Sequence, residues 1–198
     1  IAMCGDISVV LQHETALHQI PVADRCETSV SDRLLEPVQS LLEIPLLIMD
    51  ESEGIGLAAP QIGKAIRLVV IDLDVLSEDF PEYKGFRKAF INAHIVEVDE
   101  TDTDTSEEGC LSLPAIHEKV TRSKRIHVTY LDEDMQPHDE WVEGYLARVM
   151  QHEFDHLEGK MFIDHISPLR KQLIKNKLRA LLQGRFRCAY KYKAAPVR

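Results

Sequence analysis

Runs of apolar and β-branched residues in the middle of the chain predict strands. The four predicted strands cover residues 66–74, 88–99, 124–132 and 139–144. Between the first two, residues 77–89 are typical of a surface excursion, and "EDMQP" suits the turn between the last two. Near the end of the chain, apolar residues alternate with Arg and Lys over 186–193, which predicts a further, half-exposed strand.

Apolar residues recur at the helical spacing over 168–184, which predicts a helix there. A second helix is predicted over 145–157, followed by Gly159 as its C-terminal cap, and a short one over 36–44. Strands that precede helices indicate an α+β fold, and the length indicates one domain over residues 1–198. We expect four leucines of the last helix to pack on this domain: Leu169, Leu173, Leu178 and Leu181.

Charge is unevenly distributed along the chain. The net charge is −10, yet ten Lys or Arg and no Asp or Glu follow residue 169, so the preceding part carries −20. Residues 97–108 are interpreted as an acidic loop that adds to this charge. An acidic body argues against general DNA binding.

No apolar run approaches the roughly 18 residues of a membrane span, and no secretory or transit signal is evident. The four cysteines are scattered without a C-x-x-C pair, which is typical of reduced thiols. We therefore expect a cytoplasmic protein without membrane contact, and a monomer.

The sequence "MQHEFDHLEG" places His152 and His156 four residues apart, on one face of a helix, with Glu153 between them. In this HExxH pattern two histidines bind a divalent metal and the glutamate moves a proton. A chance match on a half-buried helix is the alternative. The third ligand of the HExxHxxGxxH proteases is missing, because Phe162 stands in its place, and no glutamate follows Glu158.

Several residues remain as candidates for the third ligand. Cys110, in "EGCLSLP", lies 42 residues before His152, after the acidic loop. A Cys-His-His set with an open fourth position is the catalytic form of such a site. Asp164, His165 and Cys188 lie downstream, but no pattern recommends them.

The segment "GIGLAAPQIG" at residues 54–63 fits the dinucleotide-binding pattern GxGxxA, but its context argues against that function. Such a fingerprint opens a helix, whereas Pro60 and Gly63 interrupt this one and a strand follows. The tight turn of small residues instead suggests backbone pressed close to another group, with Gln61 as an amide donor at its end.

These three segments together resemble the signature motifs of the peptide deformylase family. They are GxGxAAxQ (54–61), EGCLS (108–112) and QHExDH (151–156), in this order and without a substitution. The resemblance extends over residues 50–183, including "SPLRKQL" at the last helix, whereas residues 1–45 match the family's opening segment poorly. It implies an α+β fold of mainly antiparallel sheets around a central HExxH metal-binding helix, with a C-terminal helix and a final strand.

The activity implied by the resemblance is removal of the formyl group from formyl-methionyl nascent polypeptides, with release of formate. Cys110, His152 and His156 would then hold one divalent metal ion. Glu153 would take the proton of the attacking water and pass it to the leaving amine. The Gln61 amide and the Leu111 N–H would stabilise the oxyanion, together with the metal.

The substrate would lie as an added strand beside the first motif. We expect it to contact Gly54, Ile55, Gly56, Gly109 and Val149. The glycines allow close approach of its backbone, and Ile55 and Val149 form walls for the methionine side chain. Arg148 is an unusual neighbour for an apolar pocket, and the sequence leaves open whether it points away or shapes the rim.

The resemblance favours Fe²⁺ as the working metal, with Zn²⁺, Ni²⁺ or Co²⁺ able to substitute. It also suggests a ribosome contact through the basic C-terminal end, since the bacterial members dock there through a C-terminal helix. The alternative is a solvated helix and an edge strand guarded by Lys and Arg. Two other functions stay open: a metallopeptidase acting on internal peptide bonds and a non-catalytic metal-containing binding module.

Overall fold

The computed structural model describes residues 54–187 with their side chains, and the backbone of residues 9–10 and 192–193. The helix predicted over 36–44 lies outside these residues. The strands are β1 (Val9–Val10), β2 (Gly56–Ala58), β3 (Leu68–Asp72), β4 (Arg87–Val98), β5 (Thr103–Gly109), β6 (His117–Ser123), β7 (Arg125–Leu131), β8 (Pro137–Glu143) and β9 (Tyr192–Lys193). The helices are α1 (Gly144–Leu157) and α2 (Pro168–Leu182).

A five-stranded antiparallel sheet with the order β2-β3-β4-β7-β8 forms the main layer. Its last four strands are the four predicted from apolar runs, so the α+β class with antiparallel sheets is confirmed. The predicted excursion is also confirmed, because two single turns of 3₁₀ helix, Asp74–Leu76 and Pro81–Tyr83, join β3 to β4. The sequence pattern does not predict β2, which lies in the glycine-containing turn.

The interpretation of residues 97–108 as an acidic loop is wrong. Residues 103–109 form β5, which pairs antiparallel with β6 in a separate hairpin. The exposed face of β5 is polar and acidic, whereas Glu108 on the other face is buried. The one buried side chain of β5 is a carboxylate, so the strand has no alternation of apolar and polar residues. The sequence pattern therefore does not predict this strand.

Helix α1 contacts both the five-stranded sheet and the hairpin. Its apolar side, with Ala147, Met150 and Phe154, belongs to the main core, where the Phe154 ring lies 6.2 Å from that of Phe90. The helix begins directly after β8 and ends at Leu157, and Gly159 follows with a φ of 68°. This left-handed conformation agrees with the cap expected at that glycine.

Helix α2 packs through a different stripe from the one expected. Ile174 and Leu181 are buried and Leu178 is partly buried against the same cluster. Leu169 and Leu173 are 71% and 62% exposed, so the expectation that they pack on the domain is wrong. Within the described residues, no helix is long and apolar enough to cross a membrane.

The strand predicted over 186–193 is only partly observed. Residues 186–187 are not in a strand, residues 188–191 lie outside the described part, and β9 pairs in parallel with β1.

Candidate active site

Cys110, His152 and His156 converge on one point. Their ligand atoms all lie within 4.8 Å of one another, and Cys110 Sγ is 3.3 Å from His156 Nε2. Cys110 directly follows β5, and both histidines project from α1, with ring planes 83° apart. The site is therefore assembled where the hairpin meets the helix.

The downstream candidates for a third ligand are held elsewhere or lie outside the described residues. His165 Nε2 is 2.7 Å from Asp155 Oδ2. Asp164 accepts from the Met161 N–H at 3.0 Å and from Lys171 Nζ at 3.2 Å. Cys188 is not among the described residues. Among the described residues, the convergence thus favours Cys110.

The Glu108 carboxylate orients His152. Its Oε2 lies 3.0 Å from His152 Nδ1, which leaves Nε2 to face the ligand cluster. Arg122 donates to both carboxylate oxygens, at 2.7 and 2.9 Å, and Arg148 donates to Oε1 at 2.7 Å. Burial raises the pKa of Glu108, but the hydrogen bonds from His152 and Arg122 outweigh burial and bring it to about 2. The group is therefore a carboxylate near neutral pH.

The surroundings of Cys110 favour its thiolate. Burial raises the pKa of the thiol, but the neighbouring His156 and His152 outweigh burial and bring the pKa well below its ordinary value. Because the thiolate is the form that binds metals, this setting suits a ligand.

Glu153 is buried beside the cluster without a partner for one oxygen. Its Oε2 has no hydrogen-bond partner among the described residues, and burial raises the pKa of the carboxyl. Buried polar atoms are normally paired, so this one marks a position where another molecule is expected. Space around the carboxyl depends on Gly56, since a Cβ there would lie 2.5 Å from Glu153 Oε1.

The Gln61 side chain is fixed with its amide nitrogen toward the cluster. Its Oε1 accepts the Ala58 N–H at 2.8 Å. The Nε2 group then points to Ser112 Oγ at 3.1 Å and Cys110 Sγ at 3.6 Å. The single turn of 3₁₀ helix at Ala59–Ile62 turns the chain back, so that the Gln61 side chain can reach the Ala58 N–H. An N–H donor is thus held in place beside the sulfur.

A cavity of about 480 Å³ opens onto these groups. All the expected substrate contacts line it: Gly54, Ile55, Gly56, Gly109 and Val149. Of the groups expected to do chemistry, Gln61, Leu111, Cys110, His152 and Glu153 also line it. His156 is buried and contacts Cys110.

Sequence reasoning missed several residues of the site. Glu108 lies within the EGCLS motif and could have been singled out as a charged residue next to Gly109. Arg122, by contrast, belongs to no sequence motif. It joins Glu108 to Asp155 of α1 through ion pairs of 2.7 and 2.8 Å. Tyr145 and Arg187 also line the cavity, and no motif or spacing in the sequence indicates that they do.

Comparison with known proteins agrees with the resemblance of the three motifs to the peptide deformylase family. The family model described as polypeptide deformylase matches residues 9–172. This match includes most of residues 1–45, which resemble the family's opening segment poorly. The chain is 39% identical over 180 residues to a peptide deformylase of Flavobacterium psychrophilum, covering 86% of this chain and 90% of that protein.

Solved structures are similar as well. A crystal structure of peptide deformylase from Plasmodium falciparum has a TM-score of 0.69 and 32% identity, covering 85% of this chain and 88% of that chain. A peptide deformylase structure from Legionella pneumophila has a TM-score of 0.66 and 32% identity, covering 87% and 92%.

Proposed function

Because this chain belongs to the peptide deformylase family, the metal-dependent enzymes that remove N-terminal formyl groups from nascent polypeptides, we propose that Cys110, His152 and His156 hold the metal ion of that reaction. The observation that carries the proposal is the convergence of their ligand atoms within 4.8 Å beside the unpartnered Glu153 Oε2. Helix α1 is then the metal-binding helix, between the sheet and the hairpin.

The donor set fits a divalent first-row metal. One sulfur and two imidazole nitrogens leave room for a further ligand, as in catalytic sites. A metal bound there lowers the pKa of a water molecule and polarises the formyl carbonyl. We propose Fe²⁺ as the working ion, with Zn²⁺, Ni²⁺ or Co²⁺ as substitutes.

Glu153 is proposed as the group that moves the proton. Its buried carboxyl, with one oxygen free of partners among the described residues, is placed to accept the proton of the attacking water. The raised pKa of the carboxyl brings it nearer to neutral pH, where a group can both accept and return a proton. It then protonates the leaving amine of the new N-terminus.

Gln61 and Leu111 are proposed to bind the oxygen of the reacting carbonyl. The Gln61 amide is already oriented by Ala58, so little reorganisation is needed when charge develops. The Leu111 residue lines the same cavity, directly after Cys110.

The substrate is proposed to enter the cavity as an extended chain. Gly54, Gly56 and Gly109 line the path of its backbone, and Ile55 and Val149 give apolar wall for the methionine side chain. Such a cavity, mostly apolar with a few oriented polar groups, is the usual form of a small-ligand site.

A formate-release assay on formyl-Met-Ala, run beside an internally quenched peptide, tests the function. We expect formate from the first and no cleavage of the second. Cleavage of the quenched peptide without formate would indicate a metallopeptidase. Neither product from metal-loaded protein would indicate a non-catalytic metal-binding module.

Association with ribosomes is proposed as a further property of the basic C-terminal end. It is supported by the exposed Lys175, Lys177 and Arg179 on α2, on a protein that is otherwise acidic. Lys and Arg side chains bind RNA through phosphate contacts.

A further inference from the structure

Arg148 is a buried cation in the wall of the cavity. It stands one helical turn before His152 on α1 and is 7% exposed. Its guanidinium donates to Glu108 Oε1 at 2.7 Å, to the Val120 carbonyl at 3.2 Å and to the Asp104 carbonyl at 2.7 Å. The side chain therefore does not point away from the site.

These contacts join the two parts of the metal site. Asp104 and Glu108 lie on β5, which leads into Cys110, and Val120 lies on β6. The guanidinium thus attaches both strands of the hairpin to the helix that carries the histidines. Because Arg has a planar set of several donors, it can hold such divergent acceptors at once, whereas Lys is a single point of charge.

The same side chain also faces the proposed substrate pocket. Arg148, Glu108 and Val149 all line the cavity. The nitrogens of Arg148 are turned to the hairpin, which leaves its alkyl stem as the part that can supply apolar surface to the wall, as long cationic side chains commonly do. The Glu108 carboxylate links Arg148 to His152, since its Oε1 accepts from Arg148 and its Oε2 lies 3.0 Å from His152 Nδ1.

We propose that Arg148 is a positioning residue for deformylation, which sets the Glu108 carboxylate against His152 while its stem forms the wall for the first side chain of the substrate. The inference rests on the proposed metal site. Groups that orient a metal ligand from behind typically change metal affinity or activity 10- to 100-fold when removed. Arg122 also holds Glu108, so we expect the lower end of that range.

Two substitutions separate the guanidinium from the stem. Arg148→Met removes the charge and keeps an unbranched apolar chain, and Arg148→Ala removes both. For Arg148→Met we expect about a tenfold fall in kcat, with KM for a formyl-Met peptide within about threefold. For Arg148→Ala we expect the same fall in kcat and about a tenfold rise in KM for formyl-Met, but an unchanged KM for a formyl-Gly peptide.

A spectroscopic readout tests the positioning role without activity. In the Co²⁺-loaded protein, Arg148→Met should shift the visible absorption bands and speed metal loss to a chelator about tenfold. Arg148→Lys should give an intermediate result, which keeps the test valid if the methionine variant does not fold. The matched control is Arg125→Met, because Arg125 is an exposed arginine of β7 that pairs with Glu143. It should leave every value unchanged.

Two results would overturn the inference. One is a methionine or lysine variant with unchanged Co²⁺ bands and a kcat within twofold of the parent protein. The other is an equal rise in KM for formyl-Met and formyl-Gly peptides in Arg148→Ala. Failure of the metal assignment itself is distinguishable, since the parent protein would then lack the sulfur-to-Co²⁺ absorption altogether.

Discussion

Glu153 combines two properties that normally exclude each other, burial and an unpartnered carboxylate oxygen. An orphaned buried oxygen costs free energy, which supports the proposal that Glu153 receives water and substrate. The carboxyl is a neighbour of the proposed ligands and not one of them.

Substitution of Glu153 should therefore separate activity from metal binding. Glu153→Ala should keep nearly full metal content and lose about 10²–10⁴-fold in kcat, because proton transfer is lost. Glu153→Gln, which keeps the shape, is the matched control for packing and should lose similar activity. Metal loss in proportion to the loss of activity would make Glu153 structural instead.

Gly56 is the second residue on which the site depends. A Cβ at this position would lie 2.5 Å from Glu153 Oε1, closer than packed atoms allow, so Gly56→Ala should displace the carboxyl. We expect about a 10²-fold loss of kcat, since misplacement of a reacting group by about 1 Å has this effect.

The cause can be isolated by repeating Gly56→Ala in the Glu153→Ala background. Without the carboxyl the contact disappears, so the added methyl group should then change the melting temperature and the residual activity little. Equal effects of the glycine substitution in both backgrounds would show that the backbone, and not Glu153, requires the glycine.

At the scale of elements, the strands with apolar runs and both described helices could be predicted, and the hairpin could not. Glu108 is buried on β5 only because Arg122, 14 residues away, and Arg148, 40 residues away, neutralise it. Sequence patterns record local alternation, whereas this compensation exists only after the chain has folded. The HExxH spacing predicts that His152 and His156 share one helix face, and the resemblance of EGCLS to a family motif singles out Cys110, which lies with them in the structure.

The buried stripe of α2 differs from the expected one for a related reason. Leu169, Leu173, Ile174 and Leu181 all satisfy a helical period, and the period alone does not say which of two adjacent faces is covered. The structure buries Ile174 and Leu181 with Phe162 and Val120, and leaves Leu173 in solvent.

Two neighbouring substitutions test this orientation of α2. Ile174→Ala should lower the free energy of unfolding by about 2–5 kcal/mol, because a buried side chain is replaced by a cavity. Leu173→Ala, next to it and 62% exposed, should change it by no more than about 0.5 kcal/mol. Denaturant titration measures both, and equal losses would mean that the helix is rotated.

At the scale of the whole molecule, charge is segregated. The ten cationic residues after residue 169 oppose a remainder of −20. Part of this cationic charge is engaged within the protein, since Arg170 pairs with the buried Glu118 and Lys171 pairs with Asp164. The exposed Lys175, Lys177 and Arg179 of α2 form the surface that is proposed to contact RNA.

If that surface binds ribosomes, the full chain should co-sediment with them, and sedimentation should fall as salt rises. Reversal of the exposed Lys175, Lys177 and Arg179 to Glu should abolish sedimentation and leave activity on a short formyl peptide intact. The matched control reverses three exposed lysines elsewhere, Lys64, Lys84 and Lys88. No sedimentation of the intact protein at low salt would leave these charges the role of a solvated surface.

Metal retention after the loss of the Cys110 sulfur tests the proposed metal site most directly. Cys110→Ser replaces a thiolate with a much poorer ligand for these metals, and Cys188→Ser is the matched control. After equal dialysis, metal analysis should show that the Cys110 variant has lost most of its metal while the control retains it. Full retention by Cys110→Ser would contradict the assignment of Cys110, His152 and His156 as the metal site.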